Sequence, residues 1–582
     1  MSGNGEEFDL IFGDKNPAPG PNAGPAPAIA EFNEQAYVAA YPEVGRAVSA
    51  GSAATPREHY ARIGRAERRL QSAHYLALLS GGQPDRIDGG HGAFNVDTVV
   101  MGSTGTVFLV GWIDDRTSPL ASASVMQDAE GWNTRGIARC RRPDVEELLG
   151  ARGGHAFGFW LVHQLGHPGT ALAGDMQGAM TLRARLADGR VCLANLAPRH
   201  VPDSELRDTI LGHFAHLQYL GSPQIEAFGQ LDTGAGAAIL ALNRGLSSTI
   251  ASAAHIERFG PARARFAASF IICLLGRPEY FFLQSALFAT GAGAGEIEFI
   301  YVSNSPELAE TLQKEARIAE RVYGLSVTLV TLPGNAGFSV ANNAAARVAR
   351  SGRLVFVNPD VFPRDDGWAV RHAHILQGAP AEHTMLFGAP LHYDDGSLMH
   401  GGMYFEVDQG LSVTAGGVRT VPMIRVEHYG KGAPAWSDAH TRPRPVPAVT
   451  GAFISADRAW FERLGGFTGE YVFGHYEDAD LCLKSLQHGV PAWLHDIRFW
   501  HLEGKGSVRR PAHEGGSLVN RWHFTRTWGR LIEASLCGRT PTHPLLNGVP
   551  GWAPLQAEAV AATPVARPAR RTKERQAPPV AP

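Results

Sequence analysis

The chain is short of paired cysteines, of lysine, of long apolar runs and of any surplus of one charge, and each shortage excludes something. Its 582 residues include five cysteines, Cys140, Cys192, Cys273, Cys482 and Cys537. They are scattered and odd in number, with no C-x-x-C spacing. That argues against a disulfide-stapled scaffold or a thiolate zinc site, and free buried thiols in a reducing compartment are expected. The formal net charge of −3 offers no basic surplus to attract a polyanion, so no nucleic-acid partner is expected. Arginine far outnumbers lysine while alanine, glycine and proline abound, which reads as compositional bias and not as a basic surface. The best apolar run, residues 266–275, is too short to cross a bilayer, and the opening MSGNGEEFDL is too polar for a secretory signal. A cytoplasmic protein with no transmembrane segment is expected, with at most a peripheral contact at the inner face of the membrane.

What is present suits a large globular chain. Hydrophobic residues make up 44% of it, and the length calls for three or more domains. Residues 1–30 are rich in Gly, Pro, Ala and Asn and are expected to be disordered. Residues 31–88 read as a small helical module: Tyr37, Tyr41, Val44 and Val48 recur at helical spacing, Gly51 stops the run, and Thr55-Pro56 starts another. Residues 89–200 carry short β-type runs at 98–101, 106–112, 156–162, 180–184 and 190–196, separated by Gly, Asp and Asn. They predict a β-sandwich-like domain, either sugar-binding or purely structural. Residues 201–261 read as a helical connector, with Ile210, Phe214, Leu217 and Leu220 on one stripe and helix expected as far as Phe259.

From residue 262 the pattern alternates: strand 266–275, helix 279–288, strand 296–302, helix 307–323, strand 326–332. Such alternation means a mainly parallel sheet with helices on both faces, here expected to span 262–535 and to carry its own core. It leads into GNAGFSVANNAAARVARSGRLVFVNPDVFP at 334–363: a Gly/Asn-rich loop, a helix ended by Gly352, and a buried strand at 353–358. Asp360 follows that strand. In open α/β sheets ligands bind outside the carboxyl ends of the strands, and a carboxylate there suits a hard divalent cation carrying phosphates. The Ala/Pro/Arg-rich end, 536–582, is expected to be a disordered tail.

These motifs carry a resemblance. GFSVANN followed by VFVNPDVFP resembles the donor-site core of family 2 glycosyltransferases, in the Asn-Pro-Asp form of the rhamnosyltransferase-like branch. Three further blocks follow in the family's order over about residues 262–530: GAPLHYDDGSLMHGGMYF, TGAFISADRAWFERLGGF and HYEDADLCLK. The resemblance implies an α/β, GT-A (nucleotide-diphospho-sugar transferase) Rossmann-like domain behind the helical and β-sandwich-like parts. It implies an inverting, metal-dependent transfer from a nucleotide-diphosphate sugar to a glycan acceptor, in bacterial surface polysaccharide synthesis such as O-antigen or capsule.

Residue by residue, the resemblance makes Asp478 the general base, with Glu477 beside it and Asp480 and Gly451 toward the acceptor. It makes Asp360 and His501 ligands of Mn²⁺ or Mg²⁺, with Glu503 and Ser507 completing a His-x-Glu-x-x-Ser context. Arg277, Ser303 and Asn343, together with Asp360, are the expected donor contacts. The chain departs from the family at the first strand, where Cys273-Leu274-Leu275-Gly276-Arg277 replaces a Pro-Thr-Tyr-Asn-like turn. It departs again where Ser303 replaces an Asp that holds the base. These departures keep open a second reading, a degenerate, non-catalytic sugar- or nucleotide-binding protein.

Overall fold

The computed structural model describes residues 93–546, apart from 128–129, 134–136, 152–154, 166–179, 190, 220–223, 262, 264, 415–416, 438 and 503–510. It also describes residues 34, 38, 42–49, 54–59 and 85–86. The stretches 1–30 and 547–582, and the loop with Glu503 and Ser507, lie outside the described residues. Among the described residues no helix is long and apolar enough to cross a membrane. The five cysteines are free; Cys537 is exposed rather than buried.

In the N-terminal part, Pro42–Ser49 and Pro56–His59 are helical. The second is capped by Thr55: the Glu58 N–H donates to Thr55 Oγ1 at 3.1 Å, and the Glu58 carboxylate accepts from the Ala54 N–H, one residue before the cap, at 2.6 Å. The β section forms two sheets. One runs Asp85–Arg86, Ala93–Gly102, Thr106–Ile113, Gly158–Gln164, Ala138–Cys140; the other runs Glu130–Asn133, Leu120–Gln127, Met180–Leu186, Val191–Leu196. They share a core of Phe94, Leu109, Phe159, Leu161 and Leu182. The Thr106–Ile113 strand is buried along its whole length, because helices cover the face that the second sheet does not.

The remainder is an α/β unit built on a nine-stranded mixed sheet. Its order is His255–Phe259, Ser326–Thr331, Ile297–Ser303, Ala268–Leu274, Arg353–Val357, Phe453–Asp457, Leu386–Gly388, Ala492–Leu494, Arg444–Val446. The four strands from Ser326–Thr331 to Arg353–Val357 are parallel. They are continuous apolar runs, as strands covered on both faces must be. The chain steps outward from Ala268–Leu274 to Ser326–Thr331, then returns to place Arg353–Val357 on the other side of the first strand. The carboxyl ends of these two neighbours therefore diverge at a topological switch point, where such sheets form their ligand crevice.

Three local expectations are corrected. Helix does not continue to Phe259: it stops at Ser252, and His255–Phe259 is an antiparallel edge strand, its charged, largely exposed residues suited to a solvent-facing edge. The helix Gly337–Val348 ends before Gly352, because Glu298 takes the Arg350 N–H at 2.9 Å and Ser269 Oγ takes the Ser351 N–H at 3.1 Å, pulling the chain out of helix. Residues 536–546 pack on the α/β unit, with Leu536 and Leu546 fully buried and Gly538 bridged to Phe405.

The α/β unit has two buried clusters of its own and shares a third with the N-terminal half. Val100, Phe108 and Trp160 of the first sheet, Leu206, Ile210 and Phe214 of the helix Asp203–Tyr219, and Met423, Val472, Val519 and Trp522 of the α/β unit form one buried cluster. Burying a large apolar side chain contributes about 1.5–3 kcal/mol. The four α/β side chains in that cluster are thus worth roughly 6–12 kcal/mol, comparable to the whole stability of a typical domain.

Candidate active site

At the end of Arg353–Val357 the chain makes a tight turn, with the Val361 N–H donating to Asn358 O at 3.1 Å. Buried Gln284 pins this turn by donating to Asn358 O at 2.7 Å and Val361 O at 2.9 Å. The turn leads into Val361–Pro363, which pairs with Phe499–His501 so that Val361 lies opposite His501. The Leu502 N–H closes the pair on Asp360 O at 3.0 Å. Asp360 and His501, 141 positions apart in sequence, thereby come together: Asp360 Oδ1 is 3.4 Å from His501 Nε2, and both side chains are buried. His501 Nδ1 is also buried, with no hydrogen-bond partner. Behind His501 lies His400, fully buried, with Nδ1 at 2.8 Å from His428 Nδ1. Among the described residues no group of three or more His, Cys, Asp or Glu side chains converges as a metal cage.

The second cluster sits at the start of the helix Glu477–Gln487, which has Glu477, Asp478 and Asp480 in its first turn, where carboxylates suit the helix dipole. The approach to this helix is strained. Phe473, His475 and Tyr476 have φ of 59°, 83° and 76°, a left-handed backbone that costs a non-glycine residue about 1–3 kcal/mol. Asn520, fully buried on the helix Pro511–Leu531, holds the strained segment. Its side chain accepts the Val472 N–H at 2.8 Å and donates to the carbonyls of Val472 at 2.9 Å and Gly474 at 2.7 Å. From the other side the Phe338 N–H donates to Phe473 O at 2.5 Å. Gly337 permits this approach: its φ is 79°, and a Cβ there would sit 3.3 Å from the Phe473 backbone.

Asp478 is partly exposed and well supplied with donors. Its carboxylate accepts the Gly451 N–H at 2.7 Å and the Ala479 N–H at 2.8 Å, with further help from the Thr450 side chain. Glu477 is buried, and its Oε2 has no hydrogen-bond partner. Burial, and then the neighbouring Asp478 charge, push the Glu477 carboxyl up to about 8. Burial also raises Asp478, against the hydrogen bonds that favour its charged form. Two adjacent carboxyls of this kind share their protons as a pair. The donor-rich Asp478 is the better home for the negative charge, which leaves the proton on Glu477.

Three expected contacts are held by other parts of the chain. Ser303 is fully buried, and its hydroxyl is engaged with Ser305, donating to the carbonyl at 2.9 Å and accepting the N–H at 3.3 Å, so it faces no ligand. Asn343 is locked to the Phe467 backbone in both directions, at 2.7 and 3.0 Å. Asp480 points inward to Thr468 Oγ1 at 2.5 Å, Trp528 Nε1 at 2.8 Å and Tyr471 OH at 3.3 Å, with no side left for an acceptor. Arg277 stays at the surface after the first parallel strand, paired with Glu279 at 3.1 Å. Gly451 serves through its N–H, since a Cβ there would meet Asp478 and Phe338 only at ordinary contact distance. Sequence reading missed Gln284, Asn520 and the strained approach, because a lone amide in a helix carries no local signal of what it will hold.

No protein-family model and no curated protein matches the chain. Solved structures do. GalNAc-T7 with UDP, GalNAc and Mn²⁺ is 16% identical, over 46% of this chain and 49% of that one, with a TM-score of 0.32. The alignment thus spans about half the length of that chain. A mannosyltransferase from Pyrobaculum calidifontis with GDP-Man and Mn²⁺ is 14% identical, over 56% and 86%, with a TM-score of 0.30. S. aureus TarS 1-349 is 13% identical, over 46% and 74%, with a TM-score of 0.28.

Proposed function

We propose that this chain is an inverting, metal-dependent glycosyltransferase with a GT-A domain, moving a sugar from a nucleotide-diphosphate donor to a glycan acceptor. The observation that supports it most is convergence. Asp360 follows the strand Arg353–Val357, and Asp478 is held by the Gly451 N–H, two residues before Phe453–Asp457, the antiparallel neighbour of that strand, so the two motifs lie toward the same end of one sheet. The family 2 assignment, its rhamnosyltransferase-like branch and a role in bacterial surface polysaccharide synthesis rest on the sequence motifs.

Asp360 and His501 fit a divalent ion: a carboxylate and an imidazole nitrogen face each other, and a further ring nitrogen is buried without a partner. Asp360 and His501 would be the protein ligands of such an ion. Mn²⁺ or Mg²⁺ bound there would offset the charge of the departing diphosphate. The rest falls to the protein. Asp478, ionised and fixed by Gly451 and Ala479, accepts the acceptor hydroxyl proton as that oxygen attacks the anomeric carbon. Glu477 holds its own proton and so adds no second charge beside the base. A single base and one displacement invert the anomeric centre.

The buried Ser303 and the self-paired Arg277 favour the second reading, a non-catalytic sugar- or nucleotide-binding protein. One experiment separates the two: incubate the chain with a panel of UDP-, GDP- and dTDP-sugars, with and without Mn²⁺, and follow nucleotide release. Metal-dependent release that drops in Asp360→Asn supports the transferase. Binding without turnover for every donor supports the second reading.

A further inference from the structure

The helix Asp203–Tyr219 belongs to the N-terminal half, yet one of its side chains reaches the loop that carries the carboxylate pair. Arg207 is only 3% exposed. Its guanidinium carbon lies 4.3 Å from the ring centroid of Phe473, the first left-handed residue of the strained approach. The same guanidinium donates to Asn335 O at 3.5 Å and Asn243 Oδ1 at 3.4 Å, and pairs with Asp208 at 3.1 Å. Asn335 lies in the loop before Gly337–Val348, and its Oδ1 accepts the Gly337 N–H at 2.9 Å. Arg207 therefore touches both loops where they meet, beside the Phe338–Phe473 hydrogen bond. Its helix is pressed on Pro511–Leu531, the helix of Asn520, closely enough that a Cβ on Gly515 would collide with the Leu211 carbonyl. A buried arginine with one partly exposed carboxylate partner is a costly way to fill space, and a planar cation stacked on a ring is a directional one.

We infer that Arg207 is a positioning residue for the Glu477–Asp478 pair, clamping the left-handed approach at 473–476 against the Asn335 loop, so that the N-terminal half completes the site. The kinetic part of this inference rests on the glycosyltransferase reading; the clamp does not.

The test uses the full-length chain and Arg207→Met, which keeps the aliphatic stem but loses the stack and the hydrogen bonds. Amide hydrogen exchange at 472–479 should quicken about tenfold while exchange in Thr106–Ile113 stays at the wild-type rate. With a donor found by nucleotide release, kcat should fall by about 10- to 100-fold while the donor KM stays within about twofold, the pattern of a misplaced catalytic group. Arg207→Lys, which keeps the charge without the planar stack, should fall between Arg207→Met and wild type. Arg244→Ala, which cuts the nearby 3.1 Å pair with Glu470, should match wild type in both measurements. Wild-type exchange and turnover in Arg207→Met would overturn the inference. So would exchange that rises equally throughout the protein, because Arg207 would then only hold the fold together. Local loosening in a chain that transfers no sugar from any donor would uphold the clamp and sink the transferase reading instead.

Discussion

Two sets of carboxylates, one in each half of this molecule, are treated in opposite ways. In the β-sandwich-like part, Asp115 is held by Arg139 at 2.9 Å and by His155 at 2.7 Å. Burial pushes its carboxyl up, but the Arg139 hydrogen bonds and charge, with His155, outweigh that and bring it below the ordinary value. Arg142 bridges Asp97 and Asp144, both at 2.6 Å; Asp144 is brought below its ordinary value, while the deeper burial of Asp97 keeps that carboxyl raised. In the α/β unit, Glu477 and Asp478 have no such cation among the causes that set their protonation, and both are raised. A carboxylate neutralised by an arginine fork is inert and structural. A pair left without one, on strained backbone, keeps a proton equilibrium near neutral pH, which is what acid–base work requires.

The comparison can be broken at several points, and removing the N-terminal half should have the largest effect. A chain starting at residue 255 exposes Val472, Val519, Trp522 and Met423 together. It is expected to show no cooperative thermal unfolding; a sharp transition near that of the full chain would mean the shared cluster is dispensable. Next in size is Asp478→Asn, which keeps shape and removes basicity. Turnover should fall about 10²- to 10⁴-fold with Mn²⁺ and donor affinity near wild type. Transfer at the wild-type rate to a verified acceptor would move the base to Glu477.

The reverse change tests the other half. Asp115→Asn leaves Arg139 without its carboxylate and should cost about 3 kcal/mol in urea unfolding, with turnover per folded molecule unchanged. A loss of turnover without loss of stability would place function in the sandwich.

The smallest effect is in pH dependence, and the two halves should differ in sign. Glu477 is raised from 4.5 to about 8 on folding, so the folded state binds the proton more tightly. That contribution is fully present below pH 4.5 and is lost as pH rises toward 8. Glu477→Gln should remove this loss and be relatively more stable at pH 8 to 9. Burial lowers His213 and His216, in the shared core, from 6.5 to about 3 and about 4. The unfolded chain then binds those protons more tightly, and stability falls as pH drops below about 6.5. A wild-type stability that rises steadily from pH 5 to 8 with the same slope in Glu477→Gln would show that Glu477 has an ordinary carboxyl.

The sequence by itself determined what depends on neighbours along the chain. Apolar runs bounded by Gly and Pro marked the parallel strands within about two residues, because a strand covered on both faces has little choice of composition. The Asn-Pro-Asp turn and the acidic first turn before Leu481 were visible because a tight turn and a helix start draw on few residue types. The tertiary structure alone decided which of the marked residues face one another. It brought His501 to Asp360 through a strand pairing that no local pattern encodes. It turned Asp480, Ser303 and Asn343 inward, since one step of helical or strand register reverses a side chain's direction without altering the motif. It also set Arg207 and Asn520 against the strained approach to Glu477. Their bonds run to backbone carbonyls from distant parts of the chain, and a carbonyl has the same chemistry whichever residue carries it.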